Sequence, residues 1–134
     1  EILQMLDVQE RAQRYNEQQI LFKDMLRRCT TSDRNVVITN LLNEETVYCG
    51  NRFIVYASHP DQNIEIRLGW DKDRENVLIQ CGHSILNRTS RTNVGRLMYR
   101  YGGGGHEKVG SCKVPADQWE KVLGELLEQM KKDG

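Results

Sequence analysis

Apolar residues recur along the chain at two different periods, and the change of period marks where helices give way to strands. From the N-terminal side, Met5, Val8, Ala12, Tyr15, Phe22, Leu26 and Cys29 follow one another mostly at alternating three- and four-residue steps, with Gln19 interrupting the seam. That spacing predicts a long first helix carrying a narrow apolar stripe, near the 3.5-residue period of a coiled-coil seam. The helix is expected to pack across its own domain. The alternatives are a bridge to a preceding domain or pairing with a second copy as a homodimer. Farther on the period falls to two. Segments 35–42, 63–70 and 75–81 read as strands, and in the second of them Ile64, Ile66 and Leu68 alternate with Glu65 and Arg67, the mark of a half-buried strand. Asp71-Lys72-Asp73-Arg74 between the last two forms a polar hairpin turn. Residues 53–57 fit strand or helix, and end at His59-Pro60 in either case.

The helical period then returns twice. Val94, Leu97, Met98 and Tyr101 share one face of a short helix over 93–101, with Thr92 or Asn93 as N-cap and Gly102 as its left-handed stop. Trp119, Val122, Leu123, Leu126, Leu127 and Met130 fall on one face of an amphipathic C-terminal helix. Pro115 precedes it, Asp117 sits in its first turn, and Lys131 and Lys132 suit the negative end of its dipole. The whole reads as helix, mixed strands, helix, loop, helix. This is an α/β or α+β domain, a mixed β-sheet flanked by helices, with residues 1–34 as the linker or packing helix and 35–134 as one globular unit.

A chain of 134 residues has room for one domain with a modest core. Its formal net charge is zero, which argues against a general basic surface for long nucleic acid. Positive charge is local instead: Arg88, Arg91, Arg96, Arg100 and Lys108 crowd one stretch. Cys29, Cys49, Cys81 and Cys112 form no C-x-x-C pair, so they read as reduced thiols of a cytoplasmic protein. No apolar run approaches the roughly 20 residues that span a bilayer, no signal peptide is visible, and no membrane partner is expected. The chain begins at Glu1 without Met, and the expectation is the C-terminal part of something longer.

The crowded stretch also holds Gly102-Gly103-Gly104-Gly105-His106. Glycine loses more backbone freedom on folding than any other residue, so four in a row are costly to order. Such a loop lets successive N–H groups face one anion, or lets a sugar or base lie against bare main chain. His106 can donate from either ring nitrogen and charge beside a phosphate. A flexible surface loop or a tight packing crossover explains glycine content equally well. A P-loop is excluded, because Gly105 to Gly110 is followed by Ser111 and Cys112 with no Lys in place. The dinucleotide fingerprint is excluded too, since these glycines follow a helix instead of a strand.

The ordered run Gly82-His83-Ser84-Ile85, Asn87-Arg88-Thr89, Thr92-Asn93-Val94-Gly95 and Tyr101-GGGGH resembles the DHH-associated domain of bacterial DHH-family phosphoesterases. The resemblance covers most of the chain after about Asn35. It is nearest to the exopolyphosphatase-related and nanoRNase-like branch. It implies a two-domain enzyme whose N-terminal DHH domain, absent here, holds manganese. The C-terminal domain would grip the phosphate of a nucleotide or short oligonucleotide. On that analogy Arg88 contacts phosphate through its guanidinium fork, Asn87 and Ser84 add neutral hydrogen bonds, and Gly102, Gly103, Gly104, Gly105 and His106 close the site. Relatives often carry small residues after the glycine-histidine run. Here Val109 stands in that stretch, where it narrows the pocket or shifts its preference.

No catalytic residue and no metal site are expected in this chain. No Asp-His-His occurs, and Asp71-x-Asp73 sits in a turn without the glycine a calcium loop needs. His59 and His83 read as structural, hydrogen-bonded residues. Metal-assisted hydrolysis needs several ligands around an ion, so the chain alone is expected to be inactive. The alternative function is a stand-alone nucleic-acid binding module, with Tyr99 and Tyr101 as stacking residues, although Tyr101 also belongs to the apolar face of its helix.

Overall fold

A computed structural model of the chain describes residues 2–134, and side chains from residue 4 onward. The elements run α1 (Ile2–Cys29), β1 (Thr30–Asp33), β2 (Val36–Asn40), α2 (Phe53–Ser58), β3 (Ile64–Trp70), β4 (Asn76–His83), α3 (Val94–Tyr99), β5 (Gly104–Gly105), β6 (Val109–Pro115) and α4 (Trp119–Asp133). The six strands form one mixed sheet in the order β1-β2-β3-β4-β6-β5. It is an α+β fold, as expected, and the ambiguous segment 53–57 is a helix. Two expectations need correction. The stretch read as a loop after α3 contains β5 and β6, and the sheet begins at Thr30 inside the segment assigned to the first helix.

Among the described residues only β2 and β3 pair in parallel. A parallel neighbour cannot be reached by a tight turn and needs a crossover. Here the crossover is residues 41–63, and it lays α2 over one face of the sheet beside the end of α1. The alternation in β3 sorts its residues between the two faces. Ile64, Ile66 and Leu68 are fully buried against α3 and α4 together with Val77, Ile79, Met98, Leu126 and Met130. Each such side chain contributes about 1.5–3 kcal/mol on leaving water. Glu65 and Arg67 point the other way, toward α2. The hairpin from β3 to β4 closes as expected. Asp71 Oδ1 accepts the amides of Glu75 (3.1 Å) and Asn76 (3.2 Å), Oδ2 accepts the Asn76 side chain (3.0 Å), and Arg74 takes a φ of 57°. The side-chain bond from Asn76 holds the Asp71 carboxyl below its usual range. That carboxylate is occupied in making the turn.

The long first helix is present, but it packs on the sheet only at its C-terminal end. Phe22, Met25 and Leu26 are buried with Val37, Leu41 and Val55. The expectation that the helix packs across its own domain is therefore met only at this end, because Met5, Val8, Ala12 and Tyr15 are exposed. At the other end of the chain, the acidic residue in the first turn of α4 is Glu120, and Asp117 lies just ahead of that helix. Cys81 and Cys112 are buried free thiols, and burial pushes Cys112 up to about 11. No helix of the described residues is long and apolar enough to cross a membrane.

Truncating the two halves of the α1 seam separates their contributions. Phe22→Ala is expected to lower the unfolding free energy by about 3–5 kcal/mol, and Tyr15→Ala to change it by no more than about 0.5 kcal/mol. Urea denaturation of both variants checks this; equal losses would mean the whole seam is part of the core.

Candidate functional site

The polar face of the sheet is assembled by strand register. β3 pairs with β4 so that Arg67 lies opposite Gln80, β4 with β6 so that Gln80 lies opposite Ser111, and β6 with β5 so that Ser111 lies opposite Gly104. Directly opposed residues share a face, so these four form a row across the sheet. A parallel row holds Glu65, Gly82 and Val109. The α2 crossover sets Arg52 and Tyr56 above the end of these rows. Together with Gly105, His106 and Gly110 these residues line a cavity of about 420 Å³.

Charge in this cavity is unevenly matched. Glu65 accepts from Arg52 Nη2 at 2.5 Å and from the Tyr56 hydroxyl at 2.9 Å. Its side chain is only 10% exposed, so the two donors neutralise and satisfy a carboxylate that water hardly reaches. Burial first, then the Glu65 charge, push the Tyr56 phenol well above its ordinary value, which keeps it a donor. Arg67 is treated differently. Its Nε (2.8 Å) and Nη2 both donate to one neutral oxygen, Gln80 Oε1. Burial, and then the neighbouring Arg52 charge, push the guanidinium below its ordinary pKa. The cavity thus holds two guanidiniums and one carboxylate, which pairs with Arg52, and Arg67 has no ion-pair partner among the described residues. A half-buried cation bonded to an amide can still donate charge-assisted hydrogen bonds to an anion.

The glycine run is held by contacts between main chains. A Cβ on Gly103 would come within 2.7 Å of Cys112, and one on Gly105 would overlap the Val109 carbonyl and Gly110. On the other side, the amides of Val94 and Gly95 donate to the carbonyls of Glu107 and His106, each at 2.8 Å. The first turn of α3 is completed by its N-cap, Asn93 Oδ1, which accepts from the Arg96 amide at 3.1 Å. Gly104 differs from its neighbours: a Cβ there would meet nothing within 4 Å.

Of the residues singled out by sequence, Gly104, Gly105 and His106 line the cavity. Gly102 ends α3 with a φ of 81°, and Gly103 packs under the loop; neither lines it. Ser84, Asn87 and Arg88 lie on the loop after β4 and do not line it either. Ser84 Oγ accepts the amides of Leu86 (3.2 Å) and Asn87 (3.1 Å), Asn87 Nδ2 donates to the Pro60 carbonyl (3.1 Å), and Arg88 Nε donates to the Ile85 carbonyl (3.1 Å). His83 Nε2 donates to the Thr92 carbonyl at 2.7 Å, and His59 Nδ1 to Val55 at 3.1 Å, which are structural roles. Sequence reasoning missed Arg52, Tyr56, Arg67 and Gln80. The period-two pattern identified Arg67 as facing away from the core, but nothing in it pairs Arg67 with Gln80. Val109 lies on the cavity wall, 59% exposed. Among the described residues, no group of three or more His, Cys, Asp or Glu is placed to hold a metal ion. A larger groove of about 690 Å³ runs between α1 and α2. It is mostly apolar, and its Asp24 is already paired with Arg27 at 2.5 Å.

No protein-family model matches the chain, and no curated protein matches it. Twenty-four chains of solved structures do. One is the pGpG-specific phosphodiesterase PggH from Vibrio cholerae, 43% identical with a TM-score of 0.92 over 99% of this chain. The likeness is to part of a phosphodiesterase. This chain spans 45% of PggH, less than half its length. An exopolyphosphatase-related protein from Bacteroides fragilis shares the fold, with a TM-score of 0.65 and 16% identity over 87% of this chain and 36% of that one. The likeness to PggH is consistent with the family resemblance carried by the motif run, and the second likeness shows a shared fold.

Two measurements test the geometry. Gly103→Ala forces a Cβ into the β6 backbone and is expected to cost about 1–3 kcal/mol, while Gly104→Ala leaves the melting temperature unchanged or slightly raised. Tyr56 and Tyr101 ionise late, Tyr101 being pushed up to about 12 by burial and then by its bond to Glu125. Folded-state pKa values raised above 10 mean that the folded chain holds protons the unfolded chain releases. Stability from these phenols is complete below pH 10 and lost as pH rises toward 12 and beyond. Tyr56→Phe is expected to flatten that alkaline decline in pH-dependent urea unfolding.

Proposed function

We propose that this chain is the substrate-binding part of a phosphoesterase, taking the phosphate of a nucleotide or short oligonucleotide against Arg67. The observation that carries this reading is the half-buried Arg67 guanidinium, bonded to Gln80 instead of a carboxylate. A phosphate oxygen there forms charge-assisted hydrogen bonds worth about 1.5–3 kcal/mol each, with Arg52 alongside. Gly104, Gly105 and His106 close the opposite wall. Arg88, on the loop after β4 and outside the cavity lining, is a further phosphate contact on this reading. Its Nε is anchored on Ile85, and its terminal nitrogens have no hydrogen-bond partner among the described residues. Ser84 and Asn87 shape that loop and hold it to Pro60.

Manganese, which the family resemblance implies, finds no group of three or more His, Cys, Asp or Glu to hold it among the described residues. It belongs on this reading to a preceding metal-bearing domain, and no chemical step is assigned to residues here. The exposed α1 stripe at Met5, Val8 and Tyr15 is the surface such a domain would cover.

PggH is named for pGpG, so pGpG is the first ligand to test, alongside GMP and unphosphorylated GpG, by calorimetric titration. Binding of pGpG and GMP but not GpG is expected, with Arg67→Ala weakening both by roughly ten- to a hundredfold. Equal affinity for pGpG and GpG, or an unaltered Arg67→Ala, would sink the reading. Tight, steeply salt-dependent binding of long single strands would favour the stand-alone nucleic-acid module instead.

A further inference from the structure

The glycine loop has a cavity on each side. Besides the one holding Arg67, a second of about 430 Å³ is lined by Asn93, Gly95, Arg96, Tyr99 and Glu107, and shares Gly104, Gly105 and His106 with the first. From this arrangement we infer that the second cavity is a subsite for the second nucleoside of a dinucleotide whose terminal phosphate lies against Arg67. The inference rests on the phosphate site proposed above and adds what lies beyond it.

Gly104 is the first reason. Packing or a positive φ accounts for Gly102, Gly103 and Gly105, but a Cβ on Gly104 would enter open space. Folding therefore supplies no need for glycine there, and Gly104 lies on the ridge between the two cavities. A bare ridge lets a sugar-phosphate link cross from one side to the other.

Tyr99 is the second. On α3, Val94, Leu97 and Met98 take the core, and Tyr99 is turned out, 77% exposed. Tyr101 two residues on packs on the core and donates its hydroxyl to Glu125 at 2.8 Å. Tyr99 has no such partner among the described residues. Its ring offers a face for a base, which stacks on aromatics regardless of sequence.

Charge says which part of the ligand belongs here. Arg96 and Glu107 both line the cavity and cancel, in contrast to the excess cation on the Arg67 side. The amides of the first α3 turn are already bonded to the carbonyls of Glu107 and His106 and to Asn93. A neutral nucleoside suits this cavity, and a second terminal phosphate does not.

The test compares pGpG with pGp, which keeps the 3′ phosphate but lacks the second nucleoside. Titrations use the chain and its Tyr99→Ala, Tyr99→Phe and Arg67→Ala variants. The chain is expected to bind pGpG more tightly than pGp. Tyr99→Ala weakens pGpG about tenfold and leaves pGp unchanged, while Tyr99→Phe behaves as the parent. Equal affinity of the parent chain for the two ligands overturns the subsite, as does a Tyr99→Ala loss that is the same for both. An Arg67→Ala variant that still binds pGp at full strength rejects the phosphate site instead, so the two failures are distinguishable.

Discussion

The approach of main chain to main chain along Gly103–His106 governs where everything else in the site can stand. The loop must come close enough to β6 to pair with it and close enough to α3 for two helix amides to reach its carbonyls. Gly95 meets the second demand from the helix side, since a Cβ there would sit 2.7 Å from the Gly105 carbonyl oxygen. These contacts turn two glycines into the edge strand β5 and satisfy helix donors that would otherwise need water or a ligand. The same contacts make the loop a wall common to two cavities. A side chain at 103 or 105 would push the loop off β6 and separate those cavities from the row that begins at Arg67.

Electrostatics divides the cavity on the Arg67 side into a finished part and an open part. Glu65, Arg52 and Tyr56 form a closed set in which one buried carboxylate is matched by a cation and a hydroxyl. Removing any partner from such a set leaves a buried charge uncompensated, which is costly. Arg67 is not closed in this way. An amide oxygen satisfies two of its donors but leaves its charge unbalanced, and partial burial denies it full hydration. Carboxylate and amide differ by one charge, and that difference makes the position beside Gln80 electrostatically receptive. Zero net charge over the whole chain is compatible with this, because an anion site is set by local imbalance within a few ångströms.

Much of the fold is legible from side-chain periodicity, and much of the site is not. α4 and the β3–β4 hairpin declare themselves because their apolar residues repeat at 3.6 and at 2, and Asp71 supplies the turn chemistry. β5 has no side chains with which to show any period. β6 has Gly110 among its inward positions and Pro115 at its end, so its alternation is broken where the pattern would be read. The family resemblance led to Gly104, Gly105 and His106 through a contiguous motif. Arg67, Gln80 and Ser111 lie far apart along the chain, and only register makes them neighbours. Register depends on how strands slide against one another, which no local window contains. Arg52 and Tyr56 were hidden for a related reason: their place depends on the path of the crossover.

The seam of α1 shows how one pattern can serve two surfaces. Its repeat continues unbroken from Met5 to Cys29 apart from Gln19, yet Phe22 and Leu26 are 2% and 5% exposed while Met5 and Tyr15 are 64% and 65% exposed. Nothing in the sequence changes where the sheet ends; the helix simply runs past it. An isolated helix gains little in water from an apolar stripe, and most helical stability comes from packing that stripe. The pairs Asp7–Arg11 and Glu10–Arg14, at 3.0 and 2.7 Å, are exposed and add only about 0.3–0.5 kcal/mol each. They are too weak to account for the projecting part, and they leave its apolar side untouched. A periodic stripe therefore specifies that a helix is to be covered without specifying by what. Here the sheet covers the stripe only around Phe22 and Leu26, and the helix carries the same repeat past it with Met5, Val8 and Tyr15 exposed.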